Sequence, residues 1–189
     1  GLIRQVGIGP STKVGGRRPI LWEICGDYGY VIGVQLEINQ IQAVLVDLKS
    51  QIISEHKIVH DAYQSLADIE EKIFTVIADM LKSTAIDSQQ LLGIGIGVSG
   101  LVDITQGAIL KTSLLRHSSE PIHLERSLRK HFQVPIYIEN DANAAALCER
   151  WFGQQKEIDH FVFTLAVIDK DVFGIGFGLV FKNDIYRGA

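Results

Sequence analysis

The stretch Val134-Pro-Ile-Tyr-Ile-Glu-Asn-Asp-Ala-Asn-Ala-Ala-Ala-Leu-Cys-Glu149 ends an apolar run in a carboxylate and an amide, then passes into alanines. The run Val134 to Glu139 predicts a strand, and the residues from Ala142 to Phe152 predict a helix. Asn140 between them suits a helix cap, because its side-chain oxygen can accept an unpaired amide of the first turn. Strand ends are where α/β proteins place ligands. Asp141 could accept a hydrogen bond from a ligand hydroxyl or help remove its proton, and Asn140 offers both a donor and an acceptor, which suits an alcohol. The same residue types are favoured at any helix start, so the local pattern alone admits a plain cap as well as a site.

Upstream, Gly93 to Val98 reads as a second apolar strand that runs into Gly95-Ile-Gly-Val-Ser-Gly100. There Gly97 and Gly100 would let backbone approach a ligand and Ser99 adds a hydroxyl, although glycines after a strand also serve turns. Three further runs, Gly29 to Leu36, Gln40 to Leu48 and Gln51 to Val59, are rich in β-branched residues and predict an antiparallel meander. Leu66, Ile69, Ile73, Ile77 and Leu81 recur at helical spacing and predict a long amphipathic helix between Asp61 and Thr84. Ile104 to Leu110 forms a small excursion, and Pro121 opens a second helix through Phe132. Downstream, Phe161 to Ile168, Ile175 to Phe181 and Asp184 to Tyr186 start a new set of strands, with Gly174-Ile-Gly-Phe-Gly178 read as a glycine-bearing hairpin more readily than as a phosphate loop. The expected class is α/β, a ribonuclease H-like (actin-like ATPase) lobe whose mixed sheet has three antiparallel strands followed by alternating helix and strand. Residues 27–155 would be the first lobe and 156–189 the start of a second. Residues 1–26, broken by Gly7, Gly9, Pro10, Gly15, Gly16 and Pro19, read as a loop or linker.

Composition sets the outer bounds. At 189 residues and 47% apolar content the chain can bury a sizeable core. The net charge of −4 is spread along the sequence without a basic stripe, so the body gives no electrostatic reason to bind nucleic acid. Cys25 and Cys148 fit no CxxC spacing, and the six histidines show no HxH or HExxH pattern, so no metal site is expected within the chain. No signal core and no apolar run of about 20 residues is present, which points to a soluble protein of the reducing cytoplasm.

These residues resemble the ROK family of sugar kinases and sugar-responsive transcriptional repressors. Ile138-Glu-Asn-Asp-Ala-Asn-Ala-Ala-Ala-Leu-Cys-Glu-Arg-Trp-Phe-Gly153 is similar to the family's strand-to-helix segment almost residue for residue. Gly97-Val-Ser-Gly-Leu-Val-Asp103 resembles its Pro-Gly-Pro-Val-Asp loop, and Asp184-Ile-Tyr-Arg-Gly-Ala189 its Leu-Tyr-Arg-Gly-Ala hairpin. The resemblance implies that Asp141 stands where family kinases keep the base that deprotonates the sugar. It places Asn140, Gly100 and Ser113 where family members touch sugar.

The departures from the family pattern are informative. Where family kinases carry Asp-Ile-Gly-Gly-Thr to wrap phosphate, this chain reads Gln35-Leu-Glu-Ile-Asn39. Glu37 aimed at a phosphate about 4 Å away would be opposed by about 4 kcal/mol at an effective dielectric of about 20. The second phosphate loop, Gly-Thr-Gly-Ile-Gly in the kinases, appears as Val172-Phe-Gly-Ile-Gly176, with Phe173 in place of a small hydroxyl residue. Gln35, Glu37, Asn39 and Phe173 therefore mark degenerate phosphate loops and argue against phosphoryl transfer, which depends on positioning and charge stabilisation. Residues 1–21, with Gly16-Arg-Arg-Pro19, resemble the end of a winged helix-turn-helix wing and the linker of ROK repressors. The resemblance implies operator DNA bound through helices preceding this segment, a sugar or sugar-phosphate effector, a homo-oligomer at full length, and zinc held in a later segment of the family. It leaves three readings: a sugar-sensing domain, an ATP-dependent sugar kinase using Asp141 as base, or a dimerisation module that binds no sugar.

Overall fold

The computed structural model describes residues 1–11, 17–61, 63, 65–115, 120–153, 158–169 and 172–188. Three strands, β3 (Tyr30–Leu36), β4 (Gln40–Asp47) and β5 (Ile52–Val59), form an antiparallel meander. Two later strands, β6 (Leu91–Val98) and β9 (Ile136–Asn140), join parallel to β3, giving the order β5-β4-β3-β6-β9. Alternation along the strands decides the buried face: Ile32, Val34 and Leu36 of β3 and Ile94, Ile96 and Val98 of β6 are all buried. The mixed sheet is the one expected from the sequence.

Helix α1 (Leu66–Thr84) covers that face through Ile69, Ile73, Val76, Ile77 and Met80. Its stripe turns slightly from the expected one, taking in Val76 and Met80 and leaving Leu66 and Leu81 partly buried at the margin. Burial of each such side chain contributes about 1.5–3 kcal/mol, so this one face anchors the lobe. The helix begins at Leu66, five residues later than Asp61, because the Ser65 hydroxyl caps it, accepting from the Asp68 amide at 3.2 Å. Ser65→Ala is expected to lower the unfolding free energy by about 1 kcal/mol in urea titration.

Two expectations are corrected. Residues 1–26 are not simply a loop: β1 (Ile3–Ile8) and β2 (Ile20–Ile24) pair antiparallel from Ile3 opposite Ile24 to Ile8 opposite Ile20. Gly7 pairs with Leu21 instead of ending β1, the register shift falling between Gln5 and Gly7, and Glu23 ties the ribbon together through Arg4 and to the lobe through Lys49, both at 2.7 Å. The second helix is also shorter than Pro121 to Phe132. Ile122 exchanges both backbone hydrogen bonds with Ile109 at 2.9 Å, which holds it in a bridge and leaves only α2 (Leu124–Leu128) helical.

The excursion before it is a hairpin, β7 (Gly100–Asp103) and β8 (Ala108–Thr112). After β9 comes α3 (Asp141–Phe152), then a three-stranded sheet of β10 (Phe161–Asp169), β11 (Val172–Phe181) and β12 (Asp184–Ile185). Ala146, Val180 and Ile185 form a small second core between α3 and this sheet. The boundary expected at 155/156 falls among residues outside the described set.

Candidate functional site

Parallel strands carry their carboxyl ends to one edge of the sheet, and β3, β6 and β9 end level there: Leu36 lies opposite Val98, and Val98 opposite Asn140. The residues that follow are Glu37, Ser99 and Asp141. Asn140 caps α3 as expected, its Oδ1 accepting from the Asn143 amide at 3.1 Å, while its Nδ2 donates to the Gly100 carbonyl at 2.9 Å. Cap and site are thus not alternatives. The amide keeps one N–H and one lone pair for a ligand.

Gly100 is fixed by backbone geometry. Its φ is +151°, and a Cβ there would lie 2.2 Å from the Lys111 carbonyl oxygen and 3.1 Å from the Thr112 Cα. Thr112 supports the same corner, its hydroxyl donating to the Ser99 carbonyl at 2.7 Å and accepting from the Leu114 amide at 3.1 Å. Ser113, between them, is exposed on the rim beside the Gly100 pairing.

Asp141 is half-buried, and burial pushes its carboxyl above the ordinary carboxylate range. The Ala142 amide, donating to Oδ1 at 2.8 Å, and the Ser99 hydroxyl pull the other way, and the nearby Glu37 charge adds to the rise. A carboxylate held in this way is a strong acceptor for a sugar hydroxyl.

The structure adds residues the sequence pattern did not single out. Glu139 Oε1 accepts from the Asn140 amide at 2.9 Å and from Asn143 Nδ2 at 3.1 Å, while Oε2 takes Arg187 Nε at 3.0 Å and Nη2 at 2.7 Å. This two-pronged clamp joins the start of α3 to the segment after β12. The Glu139–Asn143 part bridges the end of β9 and the first turn of α3. The Arg187 part spans 48 residues and has no local signal.

Gln35 and Glu37 come to this edge. Gln35 Oε1 lies 2.8 Å from where a Gly97 Cβ would be, so the amide covers the glycine. Glu37 Oε2 accepts from Gln40 Nε2 at 2.6 Å, and Asn39 is exposed in the same turn, its carbonyl accepting from the His60 amide at 2.9 Å. On β11, Gly176 and Gly178 face α3: a Cβ on Gly178 would lie 2.3 Å from the Ala142 carbonyl oxygen and 2.6 Å from the Ala146 Cβ. These glycines permit close helix-to-sheet packing. By strand alternation Phe173 points to the opposite side of the ribbon and is 72% exposed.

An apolar hollow of about 530 Å³ between Phe161, Val162, Leu179, Phe181 and Tyr186 shares no residue with the strand-end cluster and offers no carboxylate or amide side chain to a sugar. Among the described residues no group of three His, Cys, Asp or Glu could hold a metal ion, and no helix is long and apolar enough to cross a membrane.

A three-strand meander, a covering helix and two parallel strands ending in this polar cluster define a lobe of the actin-like, sugar-kinase type. The chain belongs to the ROK family, whose model matches residues 31–189. A xylose repressor of Caldicellulosiruptor bescii is 31% identical over the whole chain, which covers 45% of that protein. A ROK family transcriptional regulator described as a homologue of the E. coli MLC protein shares the fold, with a TM-score of 0.75 at 21% identity over 99% of this chain and 45% of its own. A ROK glucokinase of Streptomyces griseus, solved with glucose and AMPPNP, superposes with a TM-score of 0.69 at 27% identity over 85% of this chain and 47% of its own. The chain thus spans under half the length of the relatives it matches.

Proposed function

We propose that this chain is the sugar-sensing part of a ROK transcriptional regulator, a repressor of carbohydrate uptake or catabolism genes acting in the cytoplasm. The observation that carries this reading is the strand-end cluster, in which Asn140 keeps donor and acceptor capacity beside a half-buried Asp141 and a backbone bend at Gly100. Ser113 on the rim completes the proposed sugar contacts. The naming of similar proteins as xylose repressors points to a pentose such as D-xylose as effector. Operator DNA would be held by a helix-turn-helix unit beyond the β1–β2 ribbon, in a homo-oligomer. Sugar can move such a regulator only by binding its DNA-free and DNA-bound arrangements unequally.

The glucokinase likeness and the position of Asp141 favour a second reading, a sugar kinase with Asp141 as base. Glu37 at the end of β3 weighs against it, because a carboxylate fixed by Gln40 stands where the kinases present phosphate-wrapping glycines. Coupled ADP-release measurements on the full-length protein, across pentoses and hexoses, decide between the two. The sensor reading predicts turnover at background. Sugar-dependent turnover that disappears in Asp141→Asn would establish the kinase.

A further inference from the structure

Glu37, Ser99 and Asp141 form one row, each following a residue at a shared register level on three neighbouring parallel strands. At about 4.8 Å between strands, the first and last of the row have backbones about 10 Å apart, and both side chains are half-buried at the same edge. The Glu37 carboxylate is not free to swing away. Its Oε2 takes Gln40 Nε2 at 2.6 Å and its own amide donates to the Gln40 carbonyl at 3.0 Å, so side chain and turn are locked together. Its charge reaches across the row to Asp141 and also to Tyr63, where it opposes ionisation of both. Arg187, a cation at this end, is committed elsewhere, clamped on Glu139. Among the described residues neither Glu37 nor Asp141 has an ion-pair partner.

We propose that Glu37 is the charge filter of the sugar site, so that the effector is an uncharged polyhydroxylated sugar and its phosphate ester is excluded. The inference rests on the reading of Asn140 and Asp141 as sugar-binding. Sugar hydroxyls donate to a carboxylate, whereas a phosphate monoester at neutral pH brings a charge of about −1.5 to −2 and three acceptor oxygens. One unit charge about 8 Å from Glu37, at an effective dielectric of about 20, is disfavoured by about thirtyfold, and a dianion by more. A departure that removes phosphate wrapping from the family pattern thereby gains a use as a selector between a free sugar and its metabolised form.

Calorimetric titration of the full-length regulator with D-xylose and D-xylose 5-phosphate, and with D-glucose and D-glucose 6-phosphate, tests this in wild type and Glu37→Gln. The expected result is that one neutral sugar binds the wild type at least thirtyfold more tightly than its ester, and that Glu37→Gln narrows this ratio at least tenfold whatever the absolute affinities. In the wild type alone the ratio should also narrow as salt is raised. Equal binding of sugar and ester by the wild type, or an unchanged ratio in Glu37→Gln, overturns the filter. Binding of neither form to the wild type instead overturns the sugar-site reading beneath it, and the filter with it.

Discussion

Gly100→Ala is expected to lower the unfolding free energy of the protein by about 3 kcal/mol, read as a shift of the urea midpoint at constant slope. Two effects combine. A φ of +151° is one that side-chain-bearing residues rarely adopt, and strain of this kind is worth about 1–3 kcal/mol. The new methyl would also lie 2.2 Å from the Lys111 carbonyl oxygen, a backbone atom that cannot rotate aside, and such overpacking adds about 1–3 kcal/mol. Relief requires β7 and β8 to part, which moves the Gly100 carbonyl away from Asn140 Nδ2 and loosens the site. Gly95 provides the contrast. Nothing lies within 4 Å of its virtual Cβ, so Gly95→Ala should change stability by no more than about 0.5 kcal/mol.

Asp141→Asn should weaken sugar binding by about 10- to 150-fold, since a hydrogen bond to a charged group contributes about 1.5–3 kcal/mol. The same change should leave the fold intact and raise its stability at neutral pH. Burial raises the Asp141 pKa above its unfolded value, so the native state binds the proton more tightly than the unfolded chain. The contribution of Asp141 to stability is therefore most favourable below the unfolded pKa and declines as pH rises through the folded one. An asparagine escapes that decline and can still accept from the Ala142 amide. The stability advantage of Asp141→Asn over wild type should appear at neutral pH and shrink as pH falls through the carboxylate range, as urea midpoints at several pH values would show. A group that lowers stability where it is ionised is the pattern expected of a residue retained for binding.

Much of the fold was legible because periodicity reports burial. The β-branched runs of β3, β4 and β5 and the stripe on α1 each bury one face, and the sheet followed from their order. The β1–β2 ribbon was not legible, since its glycines and prolines read as breakers while its pairing depends on two segments closing on each other, with Gly9 donating to the Pro19 carbonyl at 2.8 Å. The shortening of α2 likewise comes from a partner, Ile109, that the local pattern of Pro121 to Phe132 does not contain. At the site, Asn140 and Asp141 announced themselves through chemistry at a strand end. Their supports did not: Arg187 meets Glu139 only once β12 has returned the chain to α3, and Gly176 and Gly178 acquire their meaning from Ala142 and Ala146. Strand alternation turns Phe173 away from the α3 side of its ribbon, a direction that follows only once Gly176 and Gly178 are seen against the helix.

The proposed control is of a DNA-binding domain by a sugar held at Asn140 and Asp141. Its most direct test is operator release from the full-length regulator, followed by fluorescence anisotropy while D-xylose and other neutral pentoses and hexoses are titrated into wild type, Asn140→Ala and Asp141→Asn. At least one neutral sugar is expected to release the wild type, and both variants should need at least tenfold more of it. Release at the same sugar concentration in all three proteins, or in none of them, would contradict it.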